Sequence, residues 1–150
     1  MGLVVIATST IAASEHARLP SFTVTSSGGA AVASAALSTQ SRWLLVYVSP
    51  DCRSCERLIE SLKDWQSPNL TSRTVVVVRS SEAARYIAEH RSGLDVAWYA
   101  DLQDDAWQSL QLKSAPALIG VESGEIKWTV SGVLNDPKAL ESVARKWVEY

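Results

Sequence analysis

The sequence predicts an α/β fold: a mixed β-sheet with helices on both faces, preceded by an N-terminal β-hairpin. Three observations lead there. Strand-like and helix-like segments alternate between Arg42 and Leu110, the order of a βαβ layout with parallel strands. A Gly-centred turn, Glu122-Ser123-Gly124, then joins two further strands as an antiparallel hairpin. The chain closes on an amphipathic helix whose Leu140, Val143, Ala144, Trp147 and Val148 share one face.

Composition sets the outer limits. The chain has 150 residues, one domain's worth, and such a domain buries about 70% of its unfolded surface. It needs no staple of disulfides or metal. Hydrophobic residues are 47% and charged residues 20%, which argues against disorder. Fourteen basic and sixteen acidic residues leave a net charge of −2, so no basic excess draws nucleic acid or anionic lipid. No apolar run is long enough to span a membrane.

The elements follow in order. Met1 to Ala13 is a short apolar stretch followed by small residues, similar to the apolar region of a secretory signal. Ala12-Ala13-Ser14 or Glu15-His16-Ala17 could carry the cleavage. No Lys or Arg precedes it, so a remnant of a membrane anchor, a frayed tail or an edge strand remain alternatives. The domain organisation is therefore read as a leader, anchor remnant or tail over 1–17 and one domain over 18–150. Leu19 to Thr25 alternates, with Phe22 and Val24 on one face, and Ser26-Ser27-Gly28-Gly29 turns the chain into a second short strand. Trp43 to Val48 is a continuous apolar run, as in a strand covered on both faces. Ser49-Pro50-Asp51 breaks it. A helix then runs from Cys52 to about Trp65, with Leu58, Ile59, Leu62 and Trp65 as its buried stripe, and Ser67-Pro68-Asn69 ends it.

Thr74 to Val78 is the clearest strand, since consecutive β-branched residues disfavour helix. Ser80 or Ser81 caps a helix from Glu82 to about His90. Val96 to Tyr99 reads as a strand and Asp104 to Leu110 as a short helix. Asp101, Asp104 and Asp105 read as the solvated start of that helix. Ala117–Val121 and Glu125–Val130 are the hairpin strands. Asp136 caps the last helix ahead of Pro137.

Two cysteines occur, three positions apart, in Cys52-Arg53-Ser54-Cys55. The motif sits where a buried strand turns into a helix. That spacing brings both sulfurs within bonding reach. Cys52 lies at or near the N-cap, where free N–H groups and the helix dipole favour a thiolate, and Arg53 adds a positive charge. These influences lower the thiol of Cys52 and make it the nucleophile, with Cys55 as the resolving thiol. Cys52 attacks a substrate disulfide, and Cys55 then displaces the reduced product, leaving an intramolecular disulfide. Half of a four-ligand zinc site is one alternative, but no second cysteine pair exists, and His16 and His90 add little. A purely structural bridge is another, though closing so small a loop restrains the unfolded chain little.

On these residues the chain resembles the thioredoxin superfamily, and within it the TlpA/ResA-like and MauD-like thiol–disulfide oxidoreductases of bacterial envelopes. Leu19-Pro20-Ser21-Phe22-Thr23-Val24 looks like the opening strand of that family. Trp43 to Val48 with Ser49-Pro50-Asp51-Cys52-Arg53-Ser54-Cys55 looks like its central strand and CxxC motif. Ser114-Ala115-Pro116-Ala117-Leu118 looks like its cis-proline segment, and Glu122 to Ile126 followed by Gly132 like its closing hairpin. The resemblance implies a thioredoxin-like fold and a cis bond before Pro116. It implies that Ala115 and Pro116 face the cysteines and bind substrate, with Pro50, Asp51, Arg53 and Ser54 completing that surface. It implies protein thiols or disulfides as substrates, an upstream redox partner, no cofactor, no metal ligand, and a periplasmic or otherwise extracytoplasmic place, with membrane anchoring at the N-terminus a further option.

Three positions depart from the family. Asp51 stands where a Trp is usual. Val46 stands where thioredoxins carry a buried acid, and Leu58 where ResA-like proteins carry a Glu. Glu56 and Glu60 are near in sequence but read as facing solvent. These departures keep a second reading open: a thioredoxin-fold binding module, or a copper or zinc carrier, without redox turnover. Trp43, Trp65, Trp128 and Trp147 read as core. Trp98 and Trp107 lie in the segment before Pro116, where one of them is a candidate for shaping a substrate groove against the alternative of core packing.

Overall fold

The computed structural model describes residues 17–132 and 137–149. The apolar stretch Met1–Ala13 and the Asp136 cap lie outside the described residues. The strands are β1 (Ala17–Arg18), β2 (Thr23–Ser26), β3 (Ala31–Ala33), β4 (Arg42–Val48), β5 (Thr74–Arg79), β6 (Ala97–Asp101), β7 (Ala117–Glu122) and β8 (Glu125–Ser131). The α-helices are α1 (Arg53–Asp64), α2 (Pro68–Arg73), α3 (Ala83–His90), α4 (Asp105–Ser109) and α5 (Pro137–Glu149), with a 3₁₀ turn at Ser34–Ala36.

All eight strands form one mixed sheet in the order β1-β8-β7-β4-β5-β6-β2-β3. Strand β4 lies at its centre. It runs parallel to β5, with Val46 opposite Val76, and antiparallel to β7, with Tyr47 opposite Ala117. β5 and β6 are also parallel. β4, β5 and β6 therefore end along one edge of the sheet, at Val48, Arg79 and Asp101.

Alternation along β4 divides the core in two. Leu44, Val46 and Val48 face a layer built from α1, α2, α3 and α5, through Leu58, Ile59, Leu62, Leu70, Tyr86, Ile87, Leu140, Ala144 and Val148. Trp43, Leu45 and Tyr47 face the other layer, with Phe22, Val24, Leu37, Ala106 and Leu112. Among the described residues, helices thus flank both faces unequally: four on one, and the short helix α4 on the other. Each fully buried Leu or Ile of α1 contributes about 1.5–3 kcal/mol by leaving water.

One element differs from the sequence expectation. Helix α2 replaces the expected loop. Its N-cap Ser67 accepts the Leu70 N–H at 3.1 Å, and Pro68 sits in the first turn. Helix α3 starts at Ala83, and Ser80 Oγ accepts the Glu82 N–H at 3.2 Å just ahead of it. Ala17 and Arg18 pair with Ile126 and Glu125 as an edge strand. No helix among the described residues is long and apolar enough to cross a membrane.

Candidate functional site

Strand β4 delivers the cysteine motif. It is buried to Val48, after which Ser49 and Pro50 are half-buried and Asp51 is exposed. The Cys52 N–H closes a turn on Ser49 O at 3.2 Å. Cys52 is the N-cap of α1, in an extended conformation, and its Sγ accepts the Cys55 N–H at 3.0 Å. A sulfur thus takes the role that a Ser or Asp oxygen usually plays at a helix start. The Glu56 N–H reaches Cys52 O at 3.2 Å.

Cys52 and Cys55 are joined as a disulfide, with Cα atoms 5.1 Å apart. Their environments differ. Cys52 is half-buried, whereas Cys55 is fully buried in the α1 layer of the core. Arg53 is exposed and Ser54 half-buried, so the first turn of α1 presents Cys52, Arg53 and Ser54 outward while Cys55 lies in the core.

The loop before β7 reaches the same place. The Ala115–Pro116 peptide bond is cis, and the Ala115 carbonyl oxygen lies 3.5 Å from Cys52 Sγ. Pro116 is buried, and its carbonyl accepts the Gly132 N–H at 3.2 Å. Cys52, Cys55, Ala115 and Pro116 therefore form one patch. Pro50 and Asp51, which lead into Cys52, line a cleft of about 260 Å³ with Glu56, Tyr86 and His90.

The acids near the motif are arranged differently from the family pattern. Val46 and Leu58 are fully buried and apolar. Glu60 is exposed and pairs with Lys63 at 2.9 Å, whose ammonium holds its carboxyl below the usual range. Glu56 does not simply face solvent: its Oε1 meets His90 Nε2 at 3.1 Å, and His90 Nδ1 lies 3.1 Å from Lys63 Nζ. Among the described residues, no group of three His, Cys, Asp or Glu is placed to hold a metal ion.

The aspartate cluster corrects the sequence reading. Asp101 is 1% exposed, not solvated. Its carboxylate accepts the Tyr47 hydroxyl at 2.6 Å, the Ala106 N–H at 3.1 Å and the Trp107 N–H at 3.0 Å. Burial of so much charge is tolerable because these donors supply it with hydrogen bonds. Burial first, and then the bond to Asp101, push the Tyr47 hydroxyl far above its ordinary value of 10.0. Asp105 is exposed and accepts the Thr23 N–H at 2.8 Å. Asp104 takes a bidentate pair from Arg79, at 3.0 and 3.1 Å, which holds its carboxyl below the usual range.

Arg79 and Tyr47 were not singled out by the sequence. One signal was present: Tyr47 is a hydroxyl inside a buried apolar run, and such a hydroxyl requires a partner. Trp98 is core, with Nε1 donating to Leu94 O at 3.0 Å. Trp107 is half-buried between the Tyr47 ring, 5.6 Å away, and the Arg79 guanidinium, 3.9 Å above its face. Trp43 and Trp65 are core, and Trp128 and Trp147 pack edge to face at 5.5 Å.

No protein-family model and no curated protein matches the chain. Solved structures do. A secreted Mycobacterium tuberculosis disulfide oxidoreductase homologous to E. coli DsbE is 18% identical, with a TM-score of 0.65, covering 83% of this chain and 95% of that one. A thio-disulfide isomerase from Thermus thermophilus is 15% identical at a TM-score of 0.65, over 85% of this chain and 93% of its own. The N-terminal domain of PilB from Neisseria gonorrhoeae is 16% identical at a TM-score of 0.59, over 78% and 83%. Together with the sheet order and the cysteine pair on the helix that follows the central strand, these likenesses establish that the chain has a thioredoxin-like fold.

Proposed function

We propose that the protein is a thiol–disulfide oxidoreductase that exchanges disulfides with protein thiols through Cys52 and Cys55, acting as a reductant in the cell envelope. The observation that carries this reading is the disulfide at the start of α1, with one half-buried and one fully buried sulfur, set against the Ala115 carbonyl. The fold likeness to a secreted disulfide oxidoreductase supports it.

The catalytic cycle starts from the dithiol. The Cys52 thiolate attacks one sulfur of a substrate disulfide, and the other substrate sulfur leaves as a thiolate. A mixed disulfide remains on Cys52. Cys55 loses its proton and attacks Cys52 Sγ; the Cys52–Cys55 bond forms and the second substrate thiol departs. Two electrons have passed from the protein to the substrate. An upstream dithiol partner returns them. Helix α1 contributes by pointing the Cys55 N–H at Cys52 Sγ, which favours negative charge on that sulfur. Ala115 and Pro116 bind the substrate chain next to Cys52, with Pro50, Asp51, Arg53 and Ser54 around it. The leader or anchor reading of 1–17 goes with an extracytoplasmic site of action for the domain over 18–150.

The test is reduction of a peptide disulfide by the reduced protein. The wild type turns the substrate over, and Cys52→Ser abolishes turnover. Equal rates in the two proteins would refute the reading.

A further inference from the structure

Arg79 has no part in the exchange chemistry, yet it sits where the loop carrying Ala115 is secured. Its guanidinium makes two parallel bonds to Asp104 and lies 3.9 Å from the centre of the Trp107 ring. Arginine alone combines a planar fork for a carboxylate with stacking on an indole. The Trp107 ring in turn lies against Tyr47, whose backbone partner across the sheet is Ala117, the residue after Pro116. The Trp107 carbonyl accepts the Leu112 N–H at 3.1 Å. Leu112 is buried, and three residues later Ala115 reaches Cys52 Sγ.

The segment between β6 and β7 is held in a demanding shape. Asp104 has φ of 60° and Gln111 φ of 55°, a left-handed region that residues with a side chain seldom adopt. Such conformations persist when their surroundings over-determine them. The Arg79–Asp104 pair supplies that restraint at one turn. The pair is itself about one-third exposed, at 32% and 34% of side-chain surface, so an isolated pair of this kind adds little to global stability. Its placement is what matters: it lies at the C-terminal end of β5, on the sheet edge from which the Cys52 turn also emerges.

We propose that Arg79 is a positioning residue: by clamping Asp104 and Trp107 it fixes the segment that presents Ala115 to the substrate bound at Cys52. The inference rests on the oxidoreductase reading. It predicts that loosening the clamp weakens substrate binding and leaves the sulfur chemistry intact.

The experiment compares wild type, Arg79→Ala and Arg79→Lys in steady-state reduction of a peptide disulfide. Alkylation of Cys52 by iodoacetamide is measured in parallel. The alanine variant raises KM about fivefold while kcat stays within about twofold, as loss of a charge-assisted fork and a cation–π contact implies. The lysine variant keeps the charge over Trp107 and falls between. The alkylation rate does not move, because a small reagent has no chain for Ala115 to hold. Unchanged KM in a folded Arg79→Ala protein, or a fall in kcat and alkylation together, overturns the inference. Asp104→Asn provides a milder loosening if Arg79→Ala does not fold, with a KM increase expected in the same direction and an unchanged KM again contradicting it. A wild type that reduces no disulfide overturns the functional reading and this inference with it. A wild type that turns over with the KM of Arg79→Ala overturns only the inference.

Discussion

The Tyr47 hydroxyl donates to the Asp101 carboxylate at 2.6 Å, tying the central strand to the end of β6 across 54 residues of chain. Both groups are buried in the layer opposite the long helices, so neither can be satisfied by water once its partner is lost. Asp101→Ala strands three donors, on Tyr47, Ala106 and Trp107. It should cost about 3–5 kcal/mol in urea denaturation. Tyr47→Phe removes one of those donors and should cost about 1–2 kcal/mol. The double variant should lose less than the sum, since the two residues share one bond.

The same pair shapes stability at high pH. Burial, and then Asp101, raise the folded-state pKa of Tyr47 above its ordinary 10.0. Burial, and then Glu56, do the same for Tyr86. Below about pH 10 both states hold their phenolic protons, and the stabilisation is complete. Above it the unfolded chain releases protons that the folded chain retains, so stability falls as pH rises. Measured unfolding free energies should decline from about pH 10 upward, and Tyr47→Phe should flatten that decline. An equal decline in both proteins would contradict the account.

Gly120 illustrates a packing demand rather than a turn. It lies on β7 opposite Trp128, at an irregularity in the β7–β8 ladder. A Cβ placed there would fall inside the Trp128 indole. The ring cannot retreat freely, because its other neighbour is Trp147, whose Nε1 donates to Trp43 O at 2.7 Å. Gly120→Ala should destabilise by about 1–3 kcal/mol, the usual range for overpacking. Thermal denaturation will show it as a lowered Tm.

Ser67 offers a smaller test. Its Oγ caps α2 and also donates to Glu149 Oε1 at 3.0 Å, linking α2 to α5. Ser67→Ala should cost about 1 kcal/mol. Ser67→Asp should restore the cap while placing a second carboxylate beside Glu149, so it should recover only part of the loss.

The outcome shows which physical signals reach the sequence. The run Trp43–Val48 and the valines of β5 reveal a buried parallel pair, because strands covered on both faces cannot afford polar residues. The stripe Leu58, Ile59 and Leu62 reveals α1, and the motif at its start follows. Helix α2 escaped because six residues are too few for periodicity and Ser67-Pro68-Asn69 reads as a break as readily as a cap. Asp101 was misjudged because its burial depends on Tyr47, 54 residues earlier, and no local pattern records that contact. The approach of Ala115 to Cys52 was not legible from spacing either; only the family resemblance suggested it. Arg79 carried no local signal, since its partners Asp104 and Trp107 lie on the segment that follows β6.

The most direct test of the central claim is capture of the exchange intermediate in Cys55→Ser. This variant retains Cys52 and lacks the thiol that would release the substrate. Incubated with a peptide disulfide and analysed by mass spectrometry without reductant, it should accumulate one peptide per chain, attached at Cys52. Under the same conditions Cys52→Ser should carry little or none. Absence of an adduct on Cys55→Ser, or equal labelling of the two variants, would contradict the assignment of Cys52 as the nucleophile and Cys55 as the resolving thiol.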